Sequence, residues 1–455
     1  MRMRRVWPLL VLAAAAIASG APGGGEAVGR ELAKALRARA PAERASAVDK
    51  ALRNQDSADA AQAVVDAIFD RDEAQIVLDV AVTALAFMKD EAVVGVLRRA
   101  ADSGPLVQRL RAIETLGRSV ADGAAPSLVT LACDPDAAIR AAAVTALGRK
   151  EAVVATDVEG ALKDPAPAVR YAAASTLGRL QAKRSVPALC AAMRAGDGRM
   201  VDACVVALRS ICGQRFGAEP ERWEAWWAKD AGLEPPEAAP WAAPAWTFQS
   251  PVIATRSRRV RFVLSTSDTM KDPIGNAAAD AEVLASIRRA GADLAEDLVA
   301  AKSKLDVARV HLRAMLRTLR DDTEFDVMTY SGSPAFAFGR LTRADASSRK
   351  RAESRIASLS PGGTANLQAA LQRAFDPRGK DPLAVADGPD TIVLLGDGAM
   401  AEPGSTDATE VAGAPIRWNA VRQIRFLVVA TGQADDAALG RLADGPPRGA
   451  SASLP

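Results

Sequence analysis

Imidazole and thiolate do much of the acid–base, nucleophilic and metal chemistry of proteins. This 455-residue sequence has one histidine, His311, and four cysteines, Cys133, Cys190, Cys204 and Cys212. No Cys-x-x-Cys pair is present, so the sequence argues against a zinc site of the usual Cys/His kind. A Ser-His-acid triad would have to recruit His311, which falls inside an amphipathic helical stretch. No Gly-x-Ser-x-Gly elbow and no Walker loop occur. The chemistry-bearing residues therefore point away from catalysis and towards binding, with a hydrolase or lyase-like enzyme as the alternative. Export would permit disulfides, but all four cysteines lie in the first half of the chain. Cys204 stands where the preceding repeat has Ala173, so the thiols are expected to pack rather than bridge.

The elements that must position any site come from a chain too long for one core, so two or three domains are expected. Hydrophobic residues make up 49% and aromatics 4%, with many Ala, Leu and Arg, a mix that favours helices with small-residue packing. Arg2, Arg4 and Arg5 precede an apolar stretch from Val6 to Ile17 and the small residues Ala18, Ser19, Gly20 and Ala21. That pattern predicts a signal peptide over 1–20 and a periplasmic or secreted chain whose mature form spans no membrane. Removing those arginines would leave 55 basic and 55 acidic residues. Such balance gives no nucleic-acid footprint, and Arg256-Ser257-Arg258-Arg259 reads as a solvated strand entrance.

The first half repeats. Leu-Gly-Arg recurs at Leu116, Leu147 and Leu177, with equivalent leucines at Leu85 and Leu208, in steps of 31, 31, 30 and 31 residues. A period near thirty with two helical stretches means stacked helix pairs. Asp134-Pro135 and Asp164-Pro165 are expected to open second helices as N-cap and first residue, and Gly148 and Gly178 to end them. The pattern over about 45–215 resembles HEAT-like repeats of the phycobilin-lyase type. That resemblance implies a ladder between neighbouring units, here Asp134/Arg140 and Asp164/Arg170. Di-iron enzymes of that architecture use repeated His-Glu pairs, which one histidine cannot supply. The repeats, over 26–230, end in Trp223, Trp226 and Trp227, at the spacings of a helix that covers the last repeat. A Pro- and Ala-rich linker is read over 231–247.

The second half alternates apolar runs (Val260–Leu264, Glu324–Tyr330, Thr391–Leu395, Arg425–Ala430) with helical stretches, Lys304–Leu319 and Asn366–Phe375 among them. Alternation predicts a doubly wound, Rossmann-like sheet whose site lies at the carboxyl ends of its strands. Three segments in order resemble the von Willebrand factor A (VWA) family over about 258–445, within a domain read over 248–445: Phe262 to Met270, Ser360 to Leu367, and Ile392 to Gly398. The fold expected is thus an α plus α/β multidomain chain, an α-solenoid followed by a VWA-like domain.

That resemblance implies a metal-ion-dependent adhesion site for Mg²⁺ or Mn²⁺, which bind through oxygen ligands and retained water. Its positions here would be Ser267, Thr269, Thr364 and Asp397. Ser265 stands in place of the usual first Asp, and Asp268 replaces the usual Gly, with its side chain expected to point elsewhere. One lost carboxylate predicts weak or absent metal binding. The family uses the open metal position to hold an acidic side chain of a protein partner. Residues 271–303 are about thirty longer than the family's usual connection, and 277–301 reads helical, either a rim device or a packed extra helix. Residues 446–455 are read as a flexible tail. The function expected is a non-enzymatic protein-binding scaffold of the cell envelope or exterior. A VWA subunit of a metal-insertion or AAA-linked assembly is a further alternative, set against the export signal.

Overall fold

The computed structural model describes residues 24–53, 58–70, 73–150, 155–233, 248–249, 254–275, 280–375, 388–397, 419–431 and 450–454. The expected signal peptide and most of the linker lie outside them. The chain divides into two units, 1–124 and 125–455, so the break falls inside the solenoid rather than at the linker.

In the first unit, helices Gly24–Ala35, Ala58–Ile68 and Glu91–Asp102 stack in one row. Helices Pro41–Arg53, Gln75–Phe87 and Leu106–Arg118 form the other. Arginines tie successive turns together. Arg44 binds Glu73 at 2.6 and 3.1 Å, and Arg111 donates to the carbonyls of Ile68 and Phe69 that end an earlier helix.

The second unit continues the pattern. Helices Ala137–Leu147, Pro167–Arg179 and Gly198–Cys212 stack in sequence, and helix Pro220–Ala231 lies on Val186–Ala195. Arg140 reaches the next repeat and grips Asp164 with two bonds of 2.8 and 2.9 Å, one rung of the expected ladder. The cap assignment needs correction. Asp136, not Asp134, caps Ala137–Leu147, and Asp134 instead accepts from the Asp136 amide. Ala166 occupies the cap position before Pro167, with Asp164 accepting from its amide. Gly178 does not end its helix either. A Cβ there would stand 3.0 Å from Ala207 Cα, so glycine is present for close helix approach. Cys190, Cys204 and Cys212 are buried, as packing thiols would be, whereas Cys133 is exposed and does not pack. Burial pushes Cys190 up to about 12.

The sheet domain opens with a small ribbon, β1 (Phe248–Gln249) and β2 (Ala254–Thr255). Its main sheet holds β3 (Arg259–Ser265), β4 (Glu324–Tyr330), β5 (Ala335–Phe336), β6 (Thr342–Arg343), β7 (Thr391–Gly396), β8 (Arg425–Thr431) and β9 (Ala450–Leu454). The order is β5-β4-β3-β7-β8-β9, with β6 also on β4. β4, β3, β7, β8 and β9 are mutually parallel. Buried side chains alternate between two faces. Phe262, Leu264 and Val393 meet helix Lys304–Thr318, while Val263, Ile392 and Leu394 meet helix Leu367–Phe375. That is the doubly wound arrangement expected. β9 corrects the reading of the last ten residues as a flexible tail, because 450–454 adds a parallel strand beside β8. The 271–303 stretch forms two helices, Ala281–Ala290 and Ala292–Ala300, parted at Gly291. Val283, Ile287, Leu294 and Leu298 enter the core cluster under Lys304–Thr318, so the insertion is packed rather than a loose rim.

The solenoid and the sheet domain join through a buried polar network. Asp202, on helix Gly198–Cys212, accepts from Thr255 Oγ1 (3.0 Å), the Arg256 amide (2.9 Å), Arg256 Nη1 (3.0 Å) and Arg425 Nη1 (3.1 Å). Gln423 donates to Thr145 Oγ1 at 2.9 Å, and Arg199 to the Gln423 carbonyl at 3.3 Å. Arg256 is therefore a buried ion-pair partner and not part of a solvated strand entrance. These contacts hold the amino ends of the strands.

Two carboxyls, the buried Asp326 and the half-buried Asp390, give this unit a pH signature. Asp390 hydrogen-bonds Ser257, and Asp326 accepts from the amides of Val327 and Phe338. Burial pushes each up to about 6, against Ser257 in one case and Arg261 in the other. The folded chain thus holds protons that the unfolded chain releases near 3.8. Stability from this source is complete below about 4 and lost as pH rises through about 6. Asp390→Asn is expected to gain on wild type by up to about 3 kcal/mol between pH 4 and 7, because it does not ionise. Denaturation midpoints measured across that range check this, and a constant difference between the two proteins counts against it.

Candidate functional site

β3 and β7 lie side by side, and the strand order reverses between them, which is where an open α/β sheet places its site. β3 ends on Ser265 and β7 is followed by Asp397. A Cβ on Gly396 would stand 2.8 Å from Ser265 Cβ, so glycine lets the two strand ends meet.

Beyond β3 the hydroxyls form a string. Ser265 Oγ lies 3.1 Å from Ser267 Oγ, which lies 2.9 Å from Thr269 Oγ1. The Tyr330 hydroxyl, at the end of β4, is buried, and burial weakens its acidity. The second loop is held against the first by its backbone. The Gly362 amide donates to the Thr266 carbonyl (2.8 Å), and the Asp268 amide to the Gly363 carbonyl (2.8 Å). Thr364 follows, exposed on this loop. The structure thus gathers the loops of Ser265, Ser267, Thr269 and Thr364 at one end of the sheet, beside Asp397.

Asp268 points away, as expected of a neighbour in a tight loop. It pairs with Lys271, which together with the Gly363 amide keeps its carboxyl below the usual range. The residue that sequence reasoning missed is Lys304. Its ammonium sits 2.9 Å from Asp272 Oδ2 and 3.2 Å from Asp397 Oδ2, with its side chain almost fully buried. Burial opposes that charge, but the Asp272 bond and Asp397 outweigh it and raise its pKa. The one available signal was its place, the first residue of a helix pinned by a Ser303/Asp306 capping box.

The donor set does not fit a divalent ion. Asp397 is already paired with a buried ammonium, Asp268 is turned to Lys271, and position 265 is a hydroxyl. No cluster of three or more His, Cys, Asp or Glu suited to a metal occurs among the described residues. His311 is buried in the core of helix Lys304–Thr318, where burial lowers its pKa to about 4.

The von Willebrand factor type A domain family matches residues 292–445. This chain carries an A-type domain. The match begins downstream of β3, so the Ser265–Thr269 loop lies before it. The PBS lyase HEAT-like repeat matches 169–194, which covers most of helix Pro167–Arg179 and the helix after it. No curated protein matches the chain. Among solved structures, a von Willebrand factor type A protein from Catenulispora acidiphila is 19% identical over 44% of this chain and 40% of its own, with TM-score 0.29. This chain therefore spans less than half the length of that relative. The conserved hypothetical protein BatB from Bacteroides thetaiotaomicron is 15% identical over 43% of this chain and 89% of its own, TM-score 0.29. The manganese-loaded TRAP protein of Plasmodium vivax is 14% identical over 44% and 68%, TM-score 0.28. The A domain and the HEAT-like repeat are both protein-interaction modules. No helix among the described residues is long and apolar enough to cross a membrane.

Proposed function

We propose that this chain is an exported, non-enzymatic scaffold that binds a protein partner through the loops at the carboxyl ends of the A-domain strands. One observation carries the reading: the solenoid grips the opposite, amino ends of those strands through Asp202. A seven-residue strand is about 23 Å long, so the hydroxyl loops lie well away from that joint. Thr364, Asp268 and Lys271 are exposed there. The sole imidazole is in the core, which supports a binding role over acyl-transfer chemistry. If a divalent ion were held, Ser267, Thr269, Thr364 and Asp397 would be its ligands, Mg²⁺ or Mn²⁺ the ion, and a partner's acidic side chain the group it captures. The misfit of the donor set favours a partner bound by the shape and hydroxyls of the loops.

A photo-crosslinking residue placed at Thr364, with Glu324 at the amino end of β4 as control, tests this in the producing cell. Adducts to a second polypeptide are expected at 364 and not at 324. Equal labelling at both positions, or none at 364, would remove the reading. Fractionation and N-terminal sequencing of the same material test export, with a mature start near Ala21 expected.

A further inference from the structure

Two departures at the A-domain site belong together. Position 265 carries a hydroxyl where the family pattern has a carboxylate, and Lys304 brings a buried ammonium against the carboxylate that remains. We propose that the Lys304 ammonium is the resident cation of this site, so that the A domain assembles its loops without a divalent metal.

The argument is one of charge and access. A lysine is almost never buried unless paired, and this one is paired twice, with Asp272 and Asp397. Relative to a site with two carboxylates and no lysine, the pocket has lost one negative charge and gained one positive. A divalent ion placed beside Asp397 would have to displace the ammonium or share its carboxylate with it. Either is unfavourable in a buried setting, where the repulsion between two cations is poorly screened. The helix start fixes the ammonium in place, because Ser303 and Asp306 cap it reciprocally and the Lys304 amide donates to the Asp272 carbonyl at 3.1 Å. Asp272 thus holds Lys304 by backbone and side chain together. With no metal, the open coordination position disappears as well, and an acidic side chain is no longer the favoured anchor on a partner. The inference does not depend on the scaffold reading, since metal binding is measured without a partner.

The test is calorimetric titration of Mn²⁺ and Mg²⁺ into the full chain as wild type, Ser265→Asp, and Ser265→Asp/Lys304→Ala. No saturable binding is expected for wild type or the single variant into the millimolar range. The double variant restores the carboxylate and removes the ammonium, and should bind at least about tenfold tighter than the single. Saturable micromolar binding by wild type, or a single variant as tight as the double, overturns the proposal. Should the double variant not fold, wild-type melting in Mn²⁺ asks the same question, because a ligand that binds only the folded chain raises its midpoint. An unchanged midpoint is expected. A rise that Thr364→Ala abolishes overturns the proposal, since Thr364 is exposed and its loss should leave the fold intact.

Discussion

Asp202→Ala is expected to destabilise the second unit by about 3–5 kcal/mol, because it strips two buried guanidinium groups of their shared carboxylate. Arg256 and Arg425 both reach Asp202 at about hydrogen-bond distance, and the Thr255 hydroxyl and Arg256 amide complete its shell. Removing the acceptor leaves those donors in a site that excludes water, which costs more than the net worth of the bonds. Asp202→Asn, which keeps an acceptor but not the charge, should cost less. Urea unfolding followed by tryptophan fluorescence reads the difference. A loss under about 1 kcal/mol for the alanine variant would mean that the network is not a joint.

Trp223→Ala is expected to cost about 3–5 kcal/mol and to expose apolar surface on the last repeat. The indole is fully buried, meets Phe216 edge-on at 4.9 Å, and donates through Nε1 to the Gly217 carbonyl at 2.9 Å. Arg194 and Glu224 pair across the same contact between helices Val186–Ala195 and Pro220–Ala231. Trp226 and Trp227 are only half-buried, so their alanine variants should cost distinctly less. Equal losses at all three positions, or no increase in binding of an apolar dye by Trp223→Ala, would end the assignment of this helix as a cap.

The architecture was largely legible because each half writes its period in apolar residues. Leu85, Leu116, Leu147, Leu177 and Leu208 are all fully buried, which is what a recurring core position looks like along a helical stack. The four long strands were visible as apolar runs because parallel strands between helices are covered on both faces. β9 was not visible. Its sequence, Ala-Ser-Ala-Ser-Leu, lacks the β-branched and aromatic residues that mark strands, and its pairing with β8 alone defines it. Asp134 was read as a cap because Asp-Pro-Asp offers two acceptors two residues apart, and local pattern does not choose between them. The hydroxyl loops could be placed by their likeness to a family. The ammonium among them could not, since Lys304 and Asp397 stand 93 positions apart and no spacing rule joins them. Asp202 and Arg425 escaped for the same reason, being brought together by packing across 223 positions.

The Asp202 joint bears on how this domain travels between proteins. An A-type domain is usually thought of as a bead that can be cut out and strung elsewhere. Here a cut before β1 would leave Arg256 and Arg425 on a bare rim, with their counter-charge left behind on another helix. The sheet instead groups with the last helix pairs in one unit, residues 125–455. A graft of the sheet alone into a foreign chain would need an acidic residue waiting at the graft point.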